Sequence, residues 1–212
     1  MVFRMGNSAA TRARLLAAAT EEFATHGIAG ARVDRIAAAA ASNKSLIYSY
    51  FGNKDTLFDV VFDTRVDTDI ENIAFTPEYL PGYAVKLYDM YLGDPTLVRL
   101  LTWARLERTP AGPLFDRRPG HDDEKFAMIA DAQRDGLLVD DVDAADIWSM
   151  LIALAGTWAQ AAIIHTADSN EPVADHDRRR AALAATVGRA FCHSPHPAEA
   201  ELPRTAEPNL RH

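Results

Sequence analysis

Two short stretches with a helical spacing of apolar residues, separated by a tight turn, lie between residues 33 and 50. The first carries Ile36 and Ala40 on one side. The second runs from Lys44 to Tyr50 and follows Asn43, whose side chain suits a helix N-cap. A short helix, a tight turn and a second short helix ending in aromatic residues form the plan of a helix-turn-helix motif. We therefore predict a compact apolar underside of Ile36, Ala40 and Ile47 beneath a helix that can enter a DNA major groove.

The rest of the chain is also divided into helical patterns by breaker residues, which predicts an all-α fold. A helix is expected over residues 9–25, where His26-Gly27 ends it. Another helix is expected from Lys54 to about Asn72, and it is long enough to couple two domains. Further helices are predicted over residues 83–92, 95–108 and 121–135, with a loop rich in proline and glycine over residues 109–120.

An uncharged stretch of eighteen residues runs from Ile147 to Ile164. Its length suits a membrane span, but polar residues such as Ser149 and Gln160 interrupt it. The segment that precedes it is acidic and has no Lys or Arg nearby. A helix that is apolar all round is otherwise buried on all sides. We therefore predict no membrane span, and a homodimer formed through helices near residues 144–166 and 177–191.

Basic residues are concentrated near the N-terminus, although the whole chain has a formal net charge of −8. Residues 1–55 hold seven Lys and Arg against four Asp and Glu, a charge of +3, which leaves −11 for the remainder. This asymmetry favours a basic head that approaches DNA and an acidic body that does not.

Three segments follow from these patterns. We predict a helix-turn-helix DNA-binding domain with an N-terminal arm over residues 1–53, and a larger helical ligand-binding and dimerisation domain over residues 54–193. Residues 194–212, rich in Pro, Glu, Ala and Arg, are expected to be a disordered tail. The single Cys192 cannot form an intrachain disulfide, and no export signal opens the chain, so a cytoplasmic protein is expected.

Two segments of the N-terminal quarter, TRARLLAAATEEFATHGIAG and VDRIAAAAASNKSLIYSYFGNKDTLFDVV, carry a family pattern. Through them, about residues 10–62 resemble the TetR family of bacterial transcriptional repressors. The resemblance includes Tyr-x-Tyr-Phe at residues 48–51 and Lys-Asp-x-Leu-Phe at residues 54–58. It implies a homodimeric, all-helical repressor that binds a palindromic DNA operator through its recognition helices and is released by a small-molecule effector.

The resemblance also implies roles for individual side chains. The positions that usually contact phosphates hold Tyr48, Tyr50 and Lys54. The positions that approach base edges hold Lys44, Ser45 and Leu46. The predicted DNA-binding set is completed by Arg12, Arg32, Asn43 and Ser49. The alternative is that the tyrosines, like Phe51, are core aromatics and that Arg12 is an ordinary solvated charge.

Two positions depart from the family pattern. Ala41 stands where the turn usually has Gly, and Ala31 stands where helix 2 usually opens with Ser or Thr. A positive φ at a non-glycine residue costs about 1 kcal/mol, and a missing N-cap costs roughly the same. We expect the domain to tolerate both departures.

The effector site leaves a weaker signal. Aromatic and apolar residues of the second domain are candidates, because small-molecule sites are usually apolar pockets between helices. The predicted set is Met90, Trp103, Leu106, Phe126, Met150, Leu154 and Trp158, which favours an uncharged or aromatic ligand. Core packing accounts for these residues equally well.

Patterns for enzymes and metal sites are weak. His193-x-x-His196 lies in the predicted tail, and the acidic residues after His121 stabilise a helix start without a metal. No glycine-rich phosphate loop and no Gly-x-Ser-x-Gly elbow occurs. We therefore predict neither an enzyme nor a metal or other cofactor. The alternative to a regulator is a helical small-molecule-binding protein without specific DNA binding.

Overall fold

The structure, a computed structural model, describes residues 3–70, 73–115, 118, 120–160 and 162–193. Within these ranges the fold is all-α, as predicted, with short π and 3-10 turns beside the α-helices. The helices are α1 (Phe3–Gly30), α2 (Val33–Ala39), α3 (Lys44–Phe51), α4 (Lys54–Arg65), α5 (Leu80–Gly93), α6 (Pro95–Glu107), α7 (Asp123–Arg134), α8 (Ala144–Ala155) and α9 (Val173–Phe191). The predicted tail, residues 194–212, lies outside the described residues.

The first four helices enclose one hydrophobic core. Its fully buried members include Leu15 and Phe23 of α1, Ile36 of α2, Ile47 of α3 and Leu57 of α4. Helices as short as α2 and α3 are marginal in water, so packing of their apolar faces on α1 and α4 stabilises them. The helix-turn-helix head therefore forms where the periodicity predicted it.

A second core lies among α5, α7, α8 and α9. It is built on Leu87 of α5, Ile129 of α7, Leu151 of α8 and Val187 of α9. Helix α6 lies against the first core, because Leu100 and Ala104 on one of its faces pack with the head. Helix α6 is thus the part of the C-terminal region that faces the DNA-binding end.

Several helix boundaries differ from the prediction. Helix α1 begins at Phe3 rather than residue 9, and it continues to Gly30 across a kink at Gly27, where φ is 72°. Helix α4 ends at Arg65 and is followed by a π-helical turn, Val66–Ile70. The predicted break at Gly27 is present, although the chain resumes a helical turn after it.

The prediction of one helix over about residues 144–166 was wrong. Helix α8 ends at Ala155, and Gly156 forms its C-cap. The hydroxyl of Thr157 then donates to the Leu154 carbonyl at 2.7 Å, which satisfies a terminal helix carbonyl. Ile163 and Ile164 lie beyond the helix and are almost fully exposed. Among the described residues, no helix is long and apolar enough to span a membrane.

Candidate functional site

Helix α3 has one buried face and one polar, exposed face. Ile47 and Phe51 are buried in the head, whereas Lys44, Ser45, Tyr48 and Ser49 are exposed. Leu46 and Tyr50 are half-buried at the edges of this face. Of the residues predicted to approach base edges, Lys44 and Ser45 are thus exposed and Leu46 is half-buried. Tyr48 is not a core aromatic, because 49% of its surface is accessible.

Local hydrogen bonds fix the ends of α3 and α4. The Asn43 side chain accepts from the Leu46 amide at 3.0 Å, which confirms its predicted capping role. Asn53 and Thr56 form a reciprocal capping box at the start of α4, with each side chain accepting from the other residue's amide. These caps orient the N-terminal end of α3 and the chain that leaves it.

Ala41 adopts a φ of 46°, so a conformation that favours glycine is held by alanine. Three hydrogen bonds set the turn, including one of 2.9 Å from the Ser42 amide to the Ala37 carbonyl. The local cost of about 1 kcal/mol is borne by the surrounding packing.

The missing N-cap of α2, expected at Ala31, lies one residue further along the chain. The residue before α2 is Arg32, not Ala31, and its side chain forms no cap. The Glu22 carboxylate of α1 accepts from the Arg32 amide at 2.7 Å and from Arg35 Nε at 2.8 Å. Burial opposes ionisation of Glu22 most strongly, but these two hydrogen bonds, together with the nearby charges of Arg35 and His26, outweigh it and lower the pKa of its carboxyl. Glu22 thus anchors the start of α2 from α1.

The predicted phosphate-binding side chains are partly engaged within the protein. Lys54 Nζ donates to the carbonyl oxygens of Ala29 and Ala31 at 3.1 and 3.2 Å. The Tyr50 hydroxyl lies 2.9 Å from Ser8 Oγ. An ammonium group has three donors, so Lys54 keeps one donor while it joins α4 to the segment after α1.

The predicted cations on the rest of the head are exposed. Lys44 forms an ion pair with Asp34 of α2, and both side chains are more than half accessible. The Arg12 guanidinium lies 5.3 Å from the centre of the Phe51 ring, and the Arg32 side chain is exposed. Lys44 therefore lies on the exposed face of α3, Arg12 lies beside the Phe51 end of this helix, and Arg32 is an exposed cation at the start of α2.

The predicted effector residues do not form one site. Met90, Phe126, Leu154 and Trp158 pack against the second core, but Leu106 and Met150 are 63% and 40% exposed. Trp103 of α6 packs against the first core, and its Nε1 donates to the Ala24 carbonyl at 3.2 Å. Because α6 lies across α1, the Trp103 side chain faces the head and not the second core.

Trp158 lines a cavity of about 350 Å³ between α5 and the chain after α8, which we name the α5 cavity. Its wall consists of Tyr88, Tyr91, Leu92, Gly93, Pro95, Ala155, Trp158, Ala159, Gln160, Ala167, Asp168 and Ser169. Burial raises the pKa of Tyr91 to about 12, so its phenol stays protonated near neutral pH. The phenol makes no hydrogen bond to any described residue. It therefore presents a donor inside an aromatic wall.

Helix α6 connects this cavity to the head. Pro95, at its N-terminal end, lines the α5 cavity, and the preceding Asp94 pairs with Arg65 of α4. At its C-terminal end, a carboxylate oxygen of Glu107 accepts from the Ala29 amide at 2.6 Å. Arg108, which follows α6, contacts Asp59 of α4 at 3.4 Å. Helix α6 therefore contacts the cavity at one end and α1 and α4 at the other. A shift of α6 at the cavity would be transmitted to both helices through these contacts.

Sequence reasoning missed Glu22, Glu107 and Tyr91. Glu22 and Glu107 look like ordinary surface carboxylates, since their backbone partners come from other elements. Tyr91 lies on the apolar face of α5 and follows Tyr88 by one helical turn, a spacing that is visible in the sequence. Within the described part of the chain, no cluster of three or more His, Cys, Asp or Glu side chains could hold a metal, and His196 lies outside that part.

Two parts of the chain match family models. Residues 15–61 match the model for bacterial regulatory proteins of the tetR family. Residues 79–189 match a model for the C-terminal domain of tetracyclin repressor-like proteins. The second match begins at the 3-10 turn before α5 and ends within α9, so it covers the second core and α6 as well.

Individual relatives agree with these models. The chain is 41% identical over 151 residues to the HTH-type transcriptional repressor SCO4008 of Streptomyces coelicolor, covering 71% of this chain and 78% of that protein. It is 29% identical over 105 residues to the HTH-type transcriptional repressor NicS of Pseudomonas putida, covering 46% and 50% respectively. The crystal structure of SCO4942, a protein of Streptomyces coelicolor named as a transcriptional regulator, aligns with a TM-score of 0.71 and 38% identity over 88% of this chain and 99% of that one. The chain belongs to the TetR family of bacterial transcriptional regulators, with a helix-turn-helix head and a C-terminal helical domain, and is not an enzyme.

Proposed function

We propose that this protein is a cytoplasmic repressor that binds a palindromic operator as a homodimer and releases it when a small molecule occupies the α5 cavity. The exposed polar face of α3 above a fully buried underside is the observation that carries the DNA-binding role. We divide the chain into a DNA-binding head over residues 1–53 and a ligand-binding and dimerisation domain over residues 54–193. The relatives named as repressors support repression rather than activation of transcription.

In this proposal α3 lies in the major groove with its N-terminal end toward the bases. Lys44, Ser45 and Leu46 approach base edges, because they occupy the first turn of α3. Tyr48, Tyr50 and Lys54, together with Arg12 and Arg32, hold phosphates on either side. Asn43 and Ser49 complete the contact surface, although the Asn43 side-chain oxygen is already used as a cap.

Asp34 limits DNA binding in the free protein, because its carboxylate pairs with Lys44 and adds negative charge near the phosphates. We expect Asp34→Asn to strengthen operator binding by up to about fivefold, since an exposed ion pair contributes at most about 1 kcal/mol. Fluorescence anisotropy with a labelled operator measures this change. Asp135→Asn, a matched removal of a carboxylate from the end of α7, should leave the affinity unchanged; equal gains in both variants would refute the specific role of Asp34.

The dimer is proposed to form through the outer faces of α8 and α9. On α9 the exposed residues include Ala181, Ala182 and Ala190, and on α8 they include Ser149 and Ala153. Small side chains let helices of two protomers approach closely. The exposed face of α9 also carries Arg178 and Arg189, whose charges must stay solvated or paired in the dimer. Because α8 ends at Ala155, the first dimerisation helix covers residues 144–155 rather than 144–166. The second is α9, residues 173–191.

The α5 cavity suits an uncharged, aromatic effector. Its volume of about 350 Å³ lies within the range of small-molecule sites. Tyr88, Tyr91 and Trp158 supply aromatic surface, and the Tyr91 phenol supplies one hydrogen-bond donor. Of the residues predicted from sequence, Trp158 lines this cavity, while Met90 and Leu154 pack on the core beside it. Ligand occupancy would act through α6 on the spacing of the two recognition helices, which is roughly 34–36 Å on successive turns of DNA.

Selection of bound duplexes from a random DNA pool at moderate salt tests the proposal. We expect enrichment of a palindrome, whose half-sites lie about one helical turn apart. A library of uncharged aromatic compounds is then screened for release of this operator. Gly93→Leu should fill the α5 cavity and abolish release while DNA binding persists, because an added Cβ at Gly93 has no neighbour within 4 Å.

The matched control is Ala127→Leu, which adds a similar volume on the exposed face of α7. It should respond to the released compound as the original protein does. A folded protein that enriches no sequence would instead favour the alternative of a small-molecule-binding protein without specific DNA binding. Release that survives Gly93→Leu would place the effector elsewhere.

A further inference from the structure

A second cavity, of about 580 Å³, lies between the start of α7 and the segment that precedes α5, and we name it the α7 cavity. It shares no lining residue with the α5 cavity. Its apolar floor contains the rings of Phe75 and Tyr83, whose centroids are 5.0 Å apart, with Trp148 packed against Phe75 at 5.2 Å. This floor can accept a flat or aliphatic apolar body.

Hydrogen-bond donors converge on this floor from three parts of the chain. Tyr83 of α5 is 2% exposed, and burial, with smaller effects from Tyr91 and Asp122, raises the pKa of its phenol. Its hydroxyl makes no hydrogen bond to any residue that the structure describes. Lys125 of α7 is half-buried, and its Nζ donates only to the His121 carbonyl at 3.1 Å. Arg118, from the loop before α7, also lines the cavity.

The positive charge of Lys125 is not neutralised by a neighbouring carboxylate. No ion pair joins Lys125 to a carboxylate among the described residues. Glu124 is the acidic residue on the wall, but its side chain is exposed, so water screens its charge more strongly than it screens a half-buried ammonium. Asp122 lies beside the cavity, 4.0 Å from His121 Nε2. A half-buried cation and a buried phenol without an acceptor both favour a ligand with anionic oxygens.

We propose that the α7 cavity is a second effector site, which binds a carboxylate carried on an aromatic or aliphatic body. The body lies on Phe75 and Tyr83, and the carboxylate accepts from Lys125, the Tyr83 phenol and Arg118. This assignment concerns a different cavity and a different ligand class from the effector site proposed above. It does not depend on that site.

The position of Arg118 gives this site a route to the head. Arg118 donates to Asp67 at 2.6 Å, and Asp67 lies in the π-helical turn that continues α4. A ligand carboxylate at Arg118 competes with Asp67 for the same guanidinium. Binding therefore loosens the contact between the loop before α7 and the C-terminal end of α4, whose N-terminal residue, Lys54, contacts the head.

Calorimetry on the full-length protein without DNA tests the assignment. The probes are 1-naphthoate and decanoate, compared with 1-naphthamide, which keeps the ring but lacks the charge. We expect both carboxylates to bind, and naphthoate to bind at least about tenfold more tightly than the amide. Lys125→Gln should weaken naphthoate about tenfold, and Lys125→Arg should retain most of the affinity.

Lys86→Gln, which removes an exposed lysine from α5, is the matched control and should leave naphthoate binding unchanged. Gly93→Leu should also leave it unchanged, because Gly93 lines only the α5 cavity of the two. The proposal is overturned if neither carboxylate binds below about 1 mM, if the amide binds as tightly as naphthoate, or if Lys125→Gln and Lys86→Gln have the same effect. None of these readouts uses DNA, so the outcome is independent of whether the protein represses transcription.

Discussion

Replacing Lys44 by alanine is expected to lower operator affinity about 10- to 100-fold and to weaken discrimination between operator and unrelated DNA. Lys44 is the first residue of α3, and its exposed ammonium is held at the end of the helix that we place against base edges. A base contact made by a charged side chain is worth about 1–3 kcal/mol, and its loss relaxes selectivity at that position. Anisotropy titrations with the selected operator and a scrambled duplex measure both effects.

Lys54→Ala provides the contrast. Its loss should weaken binding to both duplexes and reduce the slope of log affinity against log salt by about one phosphate contact. Because Lys54 Nζ also joins α4 to the carbonyls of Ala29 and Ala31, this variant should be less stable as well. Lys86→Ala, on the exposed face of α5, should affect neither duplex. If Lys54→Ala lost selectivity while Lys44→Ala kept it, the assigned roles would be reversed.

The second large effect is expected at Gly27. Its φ of 72° lies in a region that disfavours side chains, and a Cβ added there would lie 2.5 Å from a Glu107 carboxylate oxygen and 3.0 Å from the Trp103 ring. We expect Gly27→Ala to lower the free energy of unfolding by about 2 kcal/mol, because backbone strain alone costs roughly 1–2 kcal/mol and the α6 contacts must shift. Urea unfolding at a fixed protein concentration measures the loss.

Gly93→Ala is the control for this glycine. Gly93 has no positive φ, and an added Cβ meets nothing within 4 Å, so its replacement should stabilise the protein slightly, by no more than about 1 kcal/mol. Equal destabilisation by both variants would show that Gly27 has no special role. A loss confined to Gly27→Ala would identify the kink of α1 as the place where α6 docks on the head.

Much of the head was predictable because its signals are local. The apolar spacing of Ile36, Ala40 and Ile47 predicted the buried underside, and Asn43 was recognised as a cap from its position before α3. These features depend on residues within a few positions of one another. The same local reasoning failed at Ile164, because nothing in an uncharged run distinguishes a continued helix from a chain that turns back over a cavity.

The sequence by itself determined the helical class, the helix-turn-helix head, its outward face and the basic charge at that end, because helical periodicity, capping and charge are properties of neighbouring residues. Only the tertiary structure decided that α8 ends at Ala155, that Trp103 packs on the head rather than in an effector site, and that one cavity lies beside α5 and another beside the start of α7. The amide of Ala29 and the carboxylate of Glu107 are 78 residues apart, and their meeting depends on how α6 crosses α1. Contacts of that kind are set by the packing of whole helices, which no single segment encodes.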